Sequence, residues 1–190
     1  MRNALVLVAA LVAAPLLSGC FGMAAAGLGA SVMIAGDRRT TGVYIEDENI
    51  EWKALALVRE RFPSAHVNAT SYNRRLLLTG EISDEGARTA LAEAARGIAS
   101  VREVITEATV GTNSTITARG NDTLITSNVK ARMLGNGKFS PNHVKVVTEA
   151  GVVFLLGLVT EAEGDAAVEI ARGTAGVTRV VKVFEYVKPS

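Results

Sequence analysis

Apolar positions along the chain fall into distinct regimes. Ala4 to Leu17 is an unbroken uncharged run, and Phe21 to Gly36 stays uncharged but becomes rich in alanine and glycine. From there the spacing of apolar residues switches between the periods of helices and strands. Ile50, Ala54, Leu57, Val58 and Arg61 follow a helical spacing that Pro63 ends. Val67–Tyr72 and Arg75–Ile82 read as strands, with Asn73-Arg74 between them short enough for a hairpin. Asp84–Ile98 reads as a second helix, with Leu91, Ala94, Ala95 and Ile98 on its apolar face, and Val101–Val110 as a last strand.

The same order is then written again. His66-Val67 recurs as His143-Val144, and Leu78-Thr79-Gly80 recurs at the same separation as Leu155-Leu156-Gly157. Asp47-Glu48-Asn49-Ile50 recurs as Asp122-Thr123-Leu124-Ile125, and Ala95-Arg96-Gly97 as Ala171-Arg172-Gly173. The separation drifts slightly from block to block, and the drift falls where loops belong. One repeat of such a long period signals two domains rather than a solenoid. In the second copy, Asp122 is the expected N-cap of a helix over Thr123–Leu134, with Ile125, Val129 and Met133 inward and Gly135-Asn136-Gly137 as the stop. Strands Val144–Thr148 and Val152–Val159 follow around Ala150-Gly151, then a helix over Glu161–Thr174 and a strand over Val177–Val187. The fold class is α+β: two α-β-β-α-β units, each with two helices on one face of a three-stranded sheet. The last strand of each unit can pair with either hairpin strand.

The amino terminus carries a separate message. Arg2 precedes the apolar run, and Leu17-Ser18-Gly19-Cys20 closes it, which is the layout of a secretory signal. Leu-Ser-Gly-Cys is similar to the bacterial lipobox, whose cysteine is acylated and becomes the new amino terminus. Acyl chains add about 0.8 kcal/mol per buried CH₂, so Cys20 is the expected membrane anchor. The predicted organisation is a signal peptide over residues 1–19, the lipidated cysteine and a flexible tether over 20–46, a first domain over 47–110, a linker over 111–120 and a second domain over 121–187. Cys20 is the only cysteine, so no disulfide is available to brace either small domain.

Charge narrows the function. The chain holds 20 Lys and Arg against 19 Asp and Glu, and loss of Arg2 with the signal peptide leaves a neutral protein. That balance argues against nucleic acid as a partner. Neither histidine has an acidic or cysteine partner at ligand spacing, and duplication explains their matching places, so no metal or other cofactor is assigned. Gly27-Leu28-Gly29 lacks the third glycine of a nucleotide loop, and no nucleophile or zinc-hydrolase motif is present, so no catalytic residue and no enzymatic activity is expected. Asp84-Glu85, Glu161 and Glu163 read as helix N-terminal carboxylates rather than a catalytic pair. Trp52 lies off the apolar stripe of its helix, at a place suited to an edge, a domain contact or a partner.

The duplicated order, with each hairpin ending in Leu78-Thr79-Gly80 or Leu155-Leu156-Gly157 before a helix, resembles the BON domain. With the lipobox, the whole chain is similar to the dual-BON-domain outer-membrane lipoproteins of Gram-negative bacteria. Asp37-Arg38-Arg39-Thr40-Thr41-Gly42 and Asn121-Asp122-Thr123 through Arg132 strengthen the match. The resemblance implies a non-enzymatic protein on the periplasmic face of the outer membrane, supporting its integrity and linked to division sites. It also implies that the first helix of the second domain binds anionic phospholipid such as phosphatidylglycerol or cardiolipin. Carried to this chain, the lipid-binding residues are Leu124, Asn128, Lys130, Ala131, Arg132 and Leu134. The family often has tryptophan where Leu124 stands, so the interfacial anchor is altered here. Phe21 is not the aspartate that retains such lipoproteins in the inner membrane. The alternative reading is an envelope scaffold, tethered by its anchor, that holds a protein partner without specific lipid recognition.

Overall fold

The computed structural model describes residues 37–189, so Cys20, the signal peptide and most of the expected tether lie outside the described residues. The elements run α1 (Thr41–Arg61), β1 (His66–Tyr72), β2 (Arg75–Ile82), α2 (Glu85–Arg96), β3 (Glu103–Thr106) and β4 (Thr109–Val110). After a short connection come α3 (Ile116–Leu134), β5 (Val144–Glu149), β6 (Val152–Val159), α4 (Glu161–Arg172) and β7 (Arg179–Tyr186).

Both hairpins form as expected, and the open question of the last strand is resolved identically in each copy. β1 is antiparallel to β2, and β3 and β4 run parallel to β2; β5 is antiparallel to β6, and β7 runs parallel to β6. Each second hairpin strand is therefore central. The crossover helix between it and its parallel partner covers one face of the sheet, as a parallel connection requires. The expected strand over Val101–Val110 is broken between β3 and β4, where Ala108 turns into the core.

The first helices begin earlier than their apolar spacing indicates. α1 starts at Thr41, inside the expected tether, and α3 starts at Ile116, inside the expected linker. The caps are Thr40 and Thr115, whose hydroxyls accept the amides of Val43 at 3.3 Å and Ala118 at 3.2 Å. Gly120 does not stop α3, because it faces open space and costs only the modest propensity of an exposed helical glycine. Asp122 is consequently not a cap. It lies within α3 and is buried, as Asp47 is within α1.

These two aspartates position the hairpins. Asp47 accepts the amides of Asn73 at 2.8 Å and Arg74 at 2.7 Å; Asp122 accepts those of Ala150 at 2.9 Å and Gly151 at 2.8 Å. All four turn residues have positive φ, the two-residue geometry that matches strand twist but disfavours side chains such as those of Arg74 and Ala150. The paired amide bonds hold that geometry and tie each first helix to its sheet. Gly80 and Gly157 meet a different need. A Cβ at either place would penetrate the backbone carbonyl of His66, at the start of β1, or of His143, just before β5, so the glycine of the Leu-Xaa-Gly motif is sterically required.

Each domain has a core between its helices and sheet. Ile50, Ala54, Leu76, Leu78, Leu91 and Ala95 anchor the first; Ile125, Val129, Met133, Val153, Leu155 and Ala171 anchor the second. The opposite sheet faces pack on one another through Tyr72, Leu77, Phe154, Leu156 and Val183. Helices thus form the outer layers and two sheets the inner ones, an arrangement that buries both faces of the central strands. Arg75 donates to the carbonyls of Val183 and Phe184, and Asn73 to Glu185, along the rim of the shared core.

Candidate functional site

α3 presents the residues singled out for lipid contact on its solvent side. Asp122, Ile125, Val129 and Met133 face inward at spacings of three and four residues. Leu124, Asn128, Lys130, Ala131, Arg132 and Leu134 are all exposed. Leu124 is 64% exposed and Leu134 74%, and Ile116 on the first turn reaches 85%. Ile116 is not among the residues expected from sequence, because it falls in the expected linker; Thr115 just before it is the signal that marks the helix start.

The electrostatics of this surface are one-sided. Arg119, Lys130 and Arg132 are the charged residues of α3 besides Asp122, which is turned into the domain. Its hydroxyls are also muted. Thr123 donates to the Arg119 carbonyl at 3.0 Å and Ser127 to the Thr123 carbonyl at 2.9 Å, instead of pointing to water. Arg132 is partly committed, donating to Thr174 Oγ1 at 3.0 Å, whereas Arg119 is held by the Ser114 carbonyl. The equivalent helix α1 differs in kind. It carries Glu46, Glu48, Glu51 and Glu60 beside its basic residues, with Trp52 standing 68% exposed among them.

A second feature lies within the expected tether. Asp37-Arg38-Arg39 forms a strap across both domains. Arg38 reaches the second domain, donating to the Leu158 carbonyl at 2.8 Å and pairing with Glu163 at 2.6 Å. Arg39 is buried against the first domain, pairing with Asp47 at 2.9 Å and lying 3.9 Å over the Tyr72 ring. Burial and the neighbouring Asp37 push the Tyr72 phenol up to about 12. For the Glu163 carboxyl, burial acts upward, but the Arg38 bonds, the Thr160 amide and His143 outweigh it and hold the group at about 2. Glu163 also closes a capping box with Thr160 at the start of α4, which is the N-terminal role expected of it. Local spacing carries no sign of the strap, since its partners lie far along the chain.

Two stretches, residues 47–112 and 121–188, match the BON domain model. The chain belongs to the BON-domain family, and carries two copies. Among its relatives, outer membrane lipoprotein DolP of Haemophilus influenzae is 36% identical over 173 residues, covering 90% of both chains. The 21 kDa hemolysin of Actinobacillus pleuropneumoniae is 33% identical over 155 residues, covering 80% of both. Osmotically-inducible protein Y of Escherichia coli is 27% identical over 144 residues, covering 73% of this chain and 72% of that one.

Proposed function

We propose that the protein is a lipid-anchored component of the outer membrane, held through Cys20 on the periplasmic side, that binds anionic phospholipid with α3 and supports envelope integrity. The observation that carries the reading is the exposed face of α3, where Lys130 and Arg132, with half-buried Arg119 on the first turns, accompany protruding Ile116, Leu124 and Leu134 and the helix has no exposed carboxylate. Each basic residue near an anionic leaflet contributes about 1 kcal/mol, and apolar side chains that leave water add about 1.5–3 kcal/mol each when fully buried. Back-bonded Thr123 and Ser127 lower the cost of bringing this face against headgroups. Similarity to an outer membrane lipoprotein over 90% of the chain supports the location. No helix among the described residues is long and apolar enough to cross a membrane.

The test is binding of the full chain carrying Cys20→Ser to vesicles of phosphatidylglycerol or of phosphatidylcholine alone. Amide shifts clustered on residues 116–134 with the anionic vesicles only are expected. Equal response to both vesicles, or shifts elsewhere, would defeat the reading. Trp52, exposed on an acidic helix, favours a protein contact as the second role of the same body.

A further inference from the structure

Outside the lipid-facing helix and the strap, the domain boundary gathers three metal-ligating side chains that lie far apart in sequence. His66 opens β1, Glu81 sits opposite it on β2, and Glu149 ends β5 of the other domain. His66 Nδ1 is 3.0 Å from Glu81 Oε2, and one ligand atom from each of the three residues lies within 4.8 Å of the others. Sequence spacing hides the group, because one partner comes from strand pairing and the other from domain packing.

Charge makes the grouping unusual. Glu81 is 7% exposed and Glu149 8%, yet no Lys or Arg among the described residues forms a salt bridge with either. Buried carboxylates side by side are unfavourable unless a cation or proton compensates them. The matching place in the molecule carries no such pair of acids. There, at the repeat-equivalent positions, stand His143, Leu158 and Tyr72. The strap covers that side with Arg38 on the Leu158 carbonyl and Arg39 over the Tyr72 ring. On the His66 side both added carboxylates lack such an arginine, and Asn68 orients Glu149 through an amide bond of 2.9 Å.

We propose that His66, Glu81 and Glu149 bind one divalent transition-metal ion, zinc being the best match, and that the ion clamps the first domain to the second. Imidazole nitrogen and carboxylate oxygen are both zinc ligands, with bonds of about 2.0–2.2 Å, and three of them leave the fourth tetrahedral position to a water. Two carboxylates balance the charge of the ion, and Asn68 supplies the outer hydrogen bond that steadies a ligating carboxylate. His66 is only partly buried, which leaves the ion a way in.

The experiment titrates zinc chloride into the untagged full chain carrying Cys20→Ser, so that no thiol competes, with calorimetry near neutral pH. One ion per chain is expected, with a rise in the melting temperature. His66→Gln and Glu149→Gln should each weaken binding by at least roughly tenfold, whereas His143→Gln, which removes the other histidine, should leave it unchanged. X-ray absorption at the zinc edge of the loaded parent chain should show oxygen and nitrogen neighbours including one imidazole, a readout that needs no variant to fold. Absence of saturable binding, equal loss in His143→Gln, or unchanged affinity in a folded Glu149→Gln would overturn the proposal.

Discussion

Asp47 and Asp122 occupy equivalent buried places in the two copies, and each accepts two backbone amides from the hairpin turn of its own sheet. A carboxylate inside a helix thus fixes a turn beyond the next strand. Asp47 has the larger set of partners, since Ser71 Oγ at 2.6 Å and Arg39 at 2.9 Å also bond to it.

Replacement of Asp122 by Ala strips the partners from two turn amides whose residues hold positive φ. A loss of about 2–4 kcal/mol is expected, from unsatisfied amides and relaxed turn geometry together. Asp47→Ala should cost more, because it also leaves buried Arg39 with one acid fewer. Urea denaturation of both variants beside the parent checks the order.

Gly80→Ala and Gly157→Ala drive a methyl group into the carbonyl of His66 or His143, so each should destabilise its domain by about 3 kcal/mol or prevent folding. Gly120→Ala meets open space within a helix and should stabilise by about 0.5–1 kcal/mol. Thermal melts of the three variants separate steric need from simple backbone freedom.

The pairing of Glu163 with Arg38 gives a directed pH effect. A carboxyl held near 2, below its ordinary value of 4.5, stabilises the fold fully above about pH 4.5 and loses that contribution as pH falls toward 2. Glu163→Gln should therefore be costly at neutral pH, and its cost should shrink across that window. Stability of parent and variant followed from pH 7 to 2 reads this directly; a cost independent of pH would place the effect in packing.

On α3, Leu124→Trp puts an interfacial aromatic at an exposed apolar position and should tighten binding to anionic vesicles by about 1 kcal/mol, roughly fivefold. Leu124→Asp should abolish it. Added salt should weaken the parent's binding, since the basic residues act through a screened field. Vesicle sedimentation at two salt concentrations measures all three.

Much of this molecule is visible in the linear chain. The repeat, the hairpins and the inward stripe of each helix follow from local periodicity, so Ile125, Val129 and Met133 are assignable without coordinates. Helix starts are less visible, because the apolar residues of the first turns, Tyr44 and Ile45 after Thr40 and Ile116 after Thr115, are exposed and do not extend the inward stripe. Long-range polar pairing is invisible: Arg38 meets Glu163 across 125 residues, and Asn68 meets Glu149 across 81. Nothing in local spacing encodes such partners, which arise only when distant segments pack together.

The sheet-on-sheet core has a consequence for how the two halves depend on each other. Phe154, Leu156 and Val183 on one side and Tyr72 and Leu77 on the other form greasy inner walls that only the sister half covers. A lone half would seek another lone half, and molecules could trade halves during folding. The brief stretch at residues 111–115 turns that encounter from a matter of concentration into one of reach, so the linker sets how strongly each chain favours its own halves over a neighbour's.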